Sequence, residues 1–198
     1  MMRLFFAIPL EPEIREAVAA VQTRLRATDA DVKWVEPASF HLTVSFLGDR
    51  EDSQLSDLSA IGESLAATTK PFRFRVSGAS SFPRRSPLLK TILVGVPEGA
   101  EEWKALVKRA EPQLLPFGVP REGGLQPHIT LGRVKSERNI EALRDAISLE
   151  AKTDCGAQSA TTLELVQSFL DPRGATYKTL KAWRFNETIR QDLTPGAE

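Results

Sequence analysis

Apolar and polar positions along the chain follow two periods, one typical of strands and one typical of helices. Alternating or continuous apolar runs bounded by Gly or Pro predict strands, whereas apolar residues three and four apart predict amphipathic helices. The predicted strands cover residues 3–10, 32–36, 40–47, 72–76, 89–96 and 128–134, and a C-terminal hairpin covers 162–170 and 176–185. The apolar stripes of four predicted helices begin at Ile14, Leu55, Trp103 and Ile140. The pattern predicts an α+β fold.

The order of the predicted elements repeats in the two halves of the chain. His41 and His128 occupy the same place in their halves, and the same spacing aligns Phe5-Phe6-Ala7 with Ile92-Leu93-Val94. We interpret this as the duplication of a strand–helix–strand–helix–strand unit. The expected boundaries are 1–198 for a single domain, 3–80 and 89–170 for its two pseudo-symmetric lobes, and 176–185 for an additional C-terminal strand. A pseudo-twofold axis between the lobes would bring the two histidines together.

The composition excludes several classes of protein. The chain has 198 residues, 26 basic and 26 acidic side chains and a formal net charge of zero, which argues against a protein that coats DNA by charge alone. Two histidines and a single cysteine, Cys155, cannot fill a Cys/His zinc site or form an intramolecular disulfide. The apolar run at residues 4–10 is too short to span a membrane and is followed by acidic residues rather than a cleavage site. We expect a cytoplasmic protein without a targeting segment or a membrane partner.

Each histidine opens the same pattern, His-x-Thr-x, with apolar residues at both x positions. The two copies are His41-Leu42-Thr43-Val44 and His128-Ile129-Thr130-Leu131. On a strand, the period of two sends His and Thr to one face and the apolar residues into the core. A neutral imidazole can take a proton from water while a charged one protonates a leaving oxygen, and the hydroxyls can bind phosphate oxygens. The pattern favours hydrolysis of a phosphodiester, since no nucleophile for an ester or amide is identified.

Two other interpretations of the histidines stay open at this level. A single strand histidine is most often a satisfied or surface residue, and imidazole is also the commonest metal ligand. The carboxylates nearest in sequence, Glu36 and Asp49, lie on flanking segments, which makes a weak set of metal ligands. We therefore expect no metal and no cofactor.

Long stretches of the chain resemble the two-histidine phosphoesterases. These stretches are the opening RLFFAIPL, the segments WVEPASFHLTVSFLGD and VQSFLDPRGATYKTLKAWRF, and the paired HLTV and HITL. They are most similar to the bacterial RNA 2′,3′-cyclic phosphodiesterase family, historically called 2′-5′ RNA ligases, over nearly the whole chain. The resemblance implies a bilobal α+β fold in which two antiparallel sheets line a central cleft, with helices on the outside.

The resemblance also implies an activity and the roles of individual residues. Members of the family open a 2′,3′-cyclic phosphate at an RNA end to a 2′-phosphate, and some join tRNA halves through a reversible 2′-5′ linkage. At the matching positions, His41 is implied as the donor of a proton to the departing 3′ oxygen and His128 as the base that activates water. Thr43 and Thr130 are implied to hold the phosphate. The implied partner is RNA with a cyclic phosphate end, a tRNA half or an oligonucleotide, and a monomer is expected.

Arg133 lies where the family often has a basic residue, which implies a contact with the phosphate. Strict strand alternation opposes this, because His128, Thr130 and Gly132 share one face and Arg133 lies on the other. Alternation predicts a surface arginine unless the strand twists or ends at Gly132.

A segment between residues 63 and 98 contains six basic residues and no acidic residue. Within it, Phe82, Arg84 and Arg85 combine a base-stacking ring with phosphate-pairing cations, which favours binding of a single-stranded RNA end. Tyr177 lies in a second, smaller basic segment and is a further candidate. The alternative is that both segments are solvated strand faces or protected edges.

Three alternatives to an RNA cyclic phosphodiesterase stay open. The protein could act on small cyclic nucleotides or cyclic phosphates, it could be a metal-dependent phosphoesterase, or it could bind RNA ends without chemistry. The presence of both threonines beside both histidines argues against binding alone.

Overall fold

A computed structural model describes residues 1–83, 89–120, 126–171 and 174–188. In these ranges it contains nine strands, four α-helices and three short 3-10 helices. The strands are β1 (Met2–Pro9), β2 (Val32–Trp34), β3 (His41–Arg50), β4 (Phe72–Phe82), β5 (Thr91–Glu98), β6 (His128–Val134), β7 (Asp154–Ala160), β8 (Thr162–Asp171) and β9 (Gly174–Arg184). The helices are α1 (Pro12–Arg26), α2 (Leu55–Ala67), α3 (Ala100–Leu114) and α4 (Ile140–Leu149).

These strands form one antiparallel sheet that curls into a half-barrel. Its order is β7-β4-β5-β6-β3-β1-β8-β9, and β2 pairs with β6. The two sheets expected from the sequence are joined between β3 and β6 by one residue pair, Leu42 opposite Ile129. The expected α+β class is confirmed, and this junction makes the two sheets continuous.

The four helices cover the convex side of the sheet. α1 packs on β7 and α4 on β4, whereas α2 packs on β8 and β9 and α3 packs on β3. The apolar core lies between these helices and the sheet. Because β4 pairs with β5 and β8 pairs with β1, each half of the sheet contains strands from both halves of the chain.

Both faces of β1 are buried, which explains its continuous apolar sequence. Leu4, Phe6 and Ile8 point into the main core. Phe5 and Ala7 point to the concave face, where they form a small apolar cluster with Val166. The concave face of the sheet therefore includes an apolar cluster of its own, separate from the main core.

The sequence prediction misses β7 and shortens β3 and β4. β7 has the sequence DCGAQSA, which lacks large apolar residues, and it is a strand because it pairs with β4. β4 continues to Phe82 through small residues because its pairing with β5 continues past a register shift. β3 continues past Gly48, at a φ of 75° that glycine adopts freely, and ends at Arg50. In each case a partner strand, not local sequence, sets the boundary.

Candidate active site

The two histidine motifs lie on the two central strands and run past each other in opposite directions. Leu42 and Ile129, which pair with each other, hold the same position in the two motifs, and both are completely buried. His41 and His128 are half-buried. Because side chains alternate along a strand, the imidazoles lie on the concave face, opposite the core. The motifs therefore place one histidine from each half of the sheet at a single cleft.

The two threonines lie on the same face as the histidines. Thr43 pairs with Ala7 of β1, and Thr130 pairs with Leu93 of β5. The sequence comparison of the two halves aligns Ala7 with Val94. In the sheet, however, Leu93 is the equivalent of Ala7, because each of these two residues pairs with a motif threonine. The two halves therefore align one residue differently at this point. Both hydroxyls are half-buried beside the histidines, where they can donate to a bound anion.

A β-bulge changes the face of the residues that follow the second motif. The pairing of β6 with β5 shifts at Leu131, so that Leu131 and Gly132 are both buried and Arg133 is exposed. A Cβ on Gly132 would lie 2.6 Å from Cγ1 of Val32, so glycine allows β2 to approach. Strict alternation does not hold here, because the extra residue in the bulge returns Arg133 to the histidine face. The predicted contact of Arg133 with a phosphate stays a prediction.

The same irregularity follows the first motif. The pairing of β3 with β1 shifts at Val44, so that Val44 and Ser45 are buried and Phe46 is 55% exposed. Phe46 thus takes the place that Arg133 takes in the other half of the sheet. Phe46 is not among the site residues predicted from the sequence, although it follows its motif histidine at the same spacing as Arg133 follows His128.

Equivalent backbone carbonyls fix both imidazole rings. Nδ1 of His41 lies 2.8 Å from the oxygen of Ser39, and Nδ1 of His128 lies 2.8 Å from the oxygen of Gln126. A carbonyl oxygen only accepts hydrogen bonds, so each Nδ1 carries a hydrogen and donates it. Each Nε2 can then accept a proton when the ring is neutral or donate one when it is charged.

Aromatic rings enclose His41 and change its protonation. Phe5 stacks on His41 with 4.7 Å between ring centroids, and Tyr177 meets it edge-on at 5.2 Å. Burial lowers the pKa of His41, and the positive charge of His128 lowers it further, against the hydrogen bond to Ser39. Since the charge of His128 acts on His41, the two imidazoles lie within electrostatic range of each other.

Two side chains from the helices bind the motif strands from the core side. Gln22 of α1 is 2% exposed, and its Nε2 donates to the oxygen of Val35 at 2.7 Å and of Leu131 at 3.0 Å. Trp103 of α3 donates from Nε1 to the oxygen of Thr43 at 3.0 Å. Since Leu131 is the bulged residue, Gln22 stabilises the backbone that presents the second motif.

We expect Gln22→Met to lower the free energy of unfolding by about 1–3 kcal/mol, because buried carbonyls lose a donor while the side-chain size is nearly kept. Urea denaturation followed by circular dichroism measures this. Gln113→Met is the matched control, since the amide of Gln113 donates to the oxygen of Arg109 in a half-exposed position. Equal losses in the two variants would contradict the role given to Gln22.

A cavity of about 460 Å³, here called the aromatic cavity, opens beside His41. Its lining includes Arg3, Phe5, Phe46, Arg133, Ser168 and Tyr177. Phe5 and Tyr177 contact His41 as well, so the cavity adjoins the imidazole. Burial raises the pKa of Tyr177, against the opposing effect of Arg133, so the phenol stays protonated and can donate a hydrogen bond. The aromatic cavity therefore combines flat rings, cations and hydroxyls.

Of the RNA-binding candidates Phe82, Arg84 and Arg85, the structure describes Phe82. Phe82, which is 61% exposed, pairs with Thr91, and Thr91 in turn pairs with Arg133. Directly paired residues point to the same face, so Phe82 lies on the concave side, two strands from Arg133. Arg84 and Arg85 lie outside the described residues.

Two residues of the basic segments, Arg75 and Lys181, form contacts within the protein. Arg75 forms ion pairs with Glu98 at 2.8 Å and with Asp154 at 2.6 Å. Lys181 donates to the hydroxyl of Ser59 on α2, on the convex side. These two residues of the predicted basic segments therefore contribute to packing at the surface.

Cys155 is buried on β7, and burial raises the pKa of its thiol to about 11. The thiol stays protonated, which fits a side chain that fills space among its neighbours. Among the described residues, no group of three or more His, Cys, Asp or Glu side chains is placed to hold a metal ion. None of the helices in the described ranges has the length and apolar character needed to cross a bilayer.

Comparisons with known proteins identify relatives of this chain. A family model described as LigT like Phosphoesterase matches residues 8–89. The RNA 2′,3′-cyclic phosphodiesterase of Archaeoglobus fulgidus is 32% identical over 184 residues, which cover 92% of this chain and 99% of that protein. The RNA 2′,3′-cyclic phosphodiesterase of Methanothermobacter thermautotrophicus is 29% identical over 183 residues, with 92% and 98% coverage.

Solved structures share the fold. The crystal structure of the Thermus thermophilus protein TT0787 has a TM-score of 0.77 and 28% identity, and the match covers 93% of this chain and 98% of that one. The crystal structure of E. coli LigT complexed with 3′-AMP has a TM-score of 0.73 at 24% identity, with 93% and 97% coverage. The fold and the relatives define an enzyme of the phosphoesterase class. The chain belongs to the LigT-like phosphoesterase family, which confirms the resemblance found in its sequence.

Proposed function

We propose that this protein opens the 2′,3′-cyclic phosphate at the end of an RNA strand to a 2′-phosphate, without a metal ion. The observation that carries the proposal is the matched anchoring of two imidazoles, whose Nδ1 atoms both donate to a carbonyl oxygen at 2.8 Å. The substrate is supported by the relatives from A. fulgidus and M. thermautotrophicus, which are named RNA 2′,3′-cyclic phosphodiesterases.

The reaction requires two proton transfers on opposite sides of the phosphorus. As water attacks, its proton passes to Nε2 of His128 and the P–O3′ bond breaks, while Nε2 of His41 gives a proton to O3′. The hydroxyls of Thr43 and Thr130 donate to the non-bridging oxygens, where negative charge develops. The two imidazoles supply both proton transfers, so the scheme includes no metal-bound water.

His41 must be charged when the substrate is bound, although burial lowers its pKa in the free protein. The phosphate is an anion, and a nearby negative charge favours the protonated imidazole. Substrate binding therefore offsets the burial of His41 and prepares it as the donor.

The aromatic cavity is the proposed site for the terminal nucleobase. Phe46 and Tyr177 offer rings on which a base can stack, and Arg133 offers a cation to the phosphate. Phe82, with Arg84 and Arg85 after it in sequence, is the proposed contact for the preceding nucleotides.

The test is an oligonucleotide with a 2′,3′-cyclic phosphate end, incubated with the protein in EDTA beside a mononucleotide 2′,3′-cyclic phosphate. We expect a 2′-phosphate product, full activity in EDTA and a higher kcat/KM for the oligonucleotide. Loss of activity in EDTA would identify a metal-dependent phosphoesterase, and preference for the mononucleotide would identify a small-molecule enzyme. Tight binding of the oligonucleotide without product would identify a binding module.

The pH dependence of kcat/KM is expected to be bell-shaped, because one imidazole must be neutral and the other charged. One limb of this profile, here called the His41 limb, is the pH range in which His41 of the free protein titrates. It lies below the ordinary pKa of histidine, because burial opposes protonation of the ring. Phe5→Ala removes the stacked ring, so we expect this limb to move to higher pH, while Phe5→Leu keeps His41 buried and the limb in place. A limb that stays in place in Phe5→Ala would count against His41 as one of the two groups.

A further inference from the structure

Four side chains on neighbouring strands form a row across the concave face of the sheet, here called the basic row. Lys33 of β2 pairs with Arg133 of β6, and Arg133 pairs with Thr91 of β5. Thr91 in turn pairs with Phe82 of β4. Directly paired residues point to the same face of a sheet, so the four side chains lie side by side. Neighbouring strands are about 4.8 Å apart, which makes the basic row about 14 Å long.

Lys33 points to the concave face because its two neighbours in β2 point to the core. Val32 and Trp34 pack against the main core. Side chains alternate along a strand, so Lys33 lies on the opposite face, where it is exposed. Lys33 therefore adds a second cation beside Arg133, on the face that carries the histidines.

The basic row follows directly after the second histidine motif. Thr130 of the motif pairs with Leu93, and beyond the bulge Arg133 pairs with Thr91, two residues from Leu93 on β5. Nη1 of Arg133 lies 3.5 Å from Oγ1 of Thr91, a contact within the row. Arg133 also lines the aromatic cavity. The basic row thus begins at the site proposed for the terminal nucleotide and leads away from it across the sheet.

The equivalent row in the other half of the sheet is apolar. Phe46, which takes the place of Arg133, pairs with Phe5, and Phe5 pairs with Val166. Phe5 and Val166 are 4% and 5% exposed and belong to the apolar cluster of the concave face. One half of the cleft therefore offers mainly apolar groups, and the other offers exposed cations that end at the exposed ring of Phe82.

We infer that the basic row makes the site selective for RNA ends over small cyclic nucleotides, with Lys33 as the residue that binds the phosphodiester before the terminal nucleotide. The inference rests on the proposed function, which places the cyclic phosphate at the two histidines and the terminal base in the aromatic cavity. Upstream phosphates carry charge, and placing them against the apolar row would remove water from that charge without a partner. The strand therefore leaves the cleft across β6, β5 and β4.

Each member of the basic row suits one part of a single strand. Arg133 has five N–H donors, enough to contact the reacting phosphate and the one before it. Lys33 is a compact positive charge that binds a phosphate whatever the sequence. Phe82 offers a ring on which an upstream base can stack. A stacked strand advances about 3.4 Å per nucleotide, so the length of the row accommodates more than one nucleotide. Because these contacts reach phosphates and ring faces rather than base edges, we expect little sequence preference.

The experiment compares a mononucleotide, a dinucleotide and an oligonucleotide, each with a 2′,3′-cyclic phosphate end and a 5′-hydroxyl, at several salt concentrations. Lys33→Met is expected to lower the ratio of kcat/KM for the dinucleotide to kcat/KM for the mononucleotide by about fivefold. The reason is that the dinucleotide has the preceding phosphodiester and the mononucleotide lacks it. The slope of log kcat/KM against log salt concentration should become shallower by about 0.7 for the dinucleotide, the value for one cation on a single strand. Lys108→Met removes an exposed lysine of α3 and is the matched control, which should leave the ratio unchanged.

Phe82→Ala tests the far end of the basic row. It is expected to lower the ratio of kcat/KM for the oligonucleotide to kcat/KM for the mononucleotide by about five- to a hundredfold, because a stacking ring is lost. The fold should be kept, since Phe82 is 61% exposed. Phe169→Ala is the matched control, because Phe169 is 46% exposed and lies on the other face of the sheet from Val166 and Ser168.

Binding of a fluorescent RNA that ends in a 2′-phosphate is measured beside turnover, because binding tests the basic row whether or not the RNA is cleaved. Equal losses for the dinucleotide and the mononucleotide in Lys33→Met would overturn the inference. Losses for the dinucleotide that are equal in Lys33→Met and Lys108→Met would also overturn it, because Lys33 would then act only through the overall charge. Absence of turnover in every protein, the wild type included, would contradict the proposed function. The basic row would still be supported if RNA binding weakens in Lys33→Met and Phe82→Ala but not in the two controls.

Discussion

Replacing His128 with Ala is expected to lower kcat for the opening of an RNA 2′,3′-cyclic phosphate by about 10²- to 10⁴-fold, the usual contribution of a positioned acid or base. In the proposed mechanism, water would then attack without a base, while Thr43 and Thr130 are still expected to hold the phosphate. His41→Ala should lower kcat by a similar factor, because O3′ must leave without a proton. Single-turnover rates measured by separation of the cyclic and opened RNA ends give these values.

The two histidine variants are expected to differ when the leaving group is changed. A substrate in which sulfur replaces the bridging O3′ releases a thiolate, which requires little protonation because a thiol is far more acidic than an alcohol. This substrate should restore much of the rate in His41→Ala and little of it in His128→Ala. Restoration in His128→Ala alone would reverse the two roles. Equal behaviour of the two variants would contradict a division into donor and acceptor.

A variant that combines His41→Ala with His128→Ala tests whether the two histidines act together. The proposed mechanism has the two imidazoles act in one step, so the loss of kcat in the double variant should be smaller than the product of the single losses. Thermal unfolding of each variant should show that the fold is kept, since both rings are half-buried at the cleft and lie outside the core. A variant with a wild-type melting temperature and wild-type turnover would remove that histidine from the mechanism.

Arg133→Met is expected to lower kcat/KM by about ten- to a hundredfold. A hydrogen bond to a charged group contributes about 1.5–3 kcal/mol, which corresponds to this range. The β-bulge at Leu131 puts the guanidinium on the histidine face, where it shares the aromatic cavity with Tyr177. Steady-state kinetics with the oligonucleotide measures the effect.

Arg138→Met is the matched control for Arg133→Met. Arg138 is an exposed arginine five residues further along the chain, and its nearest ion-pair partner is Asp29 at 3.8 Å. Arg138→Met removes the same charge from the protein. Its effect on kcat/KM therefore measures the contribution of long-range attraction between the protein and RNA. If the two variants lose kcat/KM equally, Arg133 acts only through the overall charge.

The sequence by itself determined which side chains of the two motifs share a face of their strands. The period of two along His41 to Val44 and His128 to Leu131 places His and Thr on one face, because strand geometry is local. The helical stripes and most strands follow from the same local rules, and the structure confirms the α+β class. The roles of the individual site residues stay predictions until the variants are measured.

Only the tertiary structure decided how these groups converge. Arg133 and Phe46 reach the histidine face because bulges form against β5 and β1, far away in sequence. β7 is a strand because β4 is its partner, although its small residues give no local signal. A β-ladder is made of hydrogen bonds between distant segments, so its register, bulges and edges depend on the partner strand as much as on the strand itself.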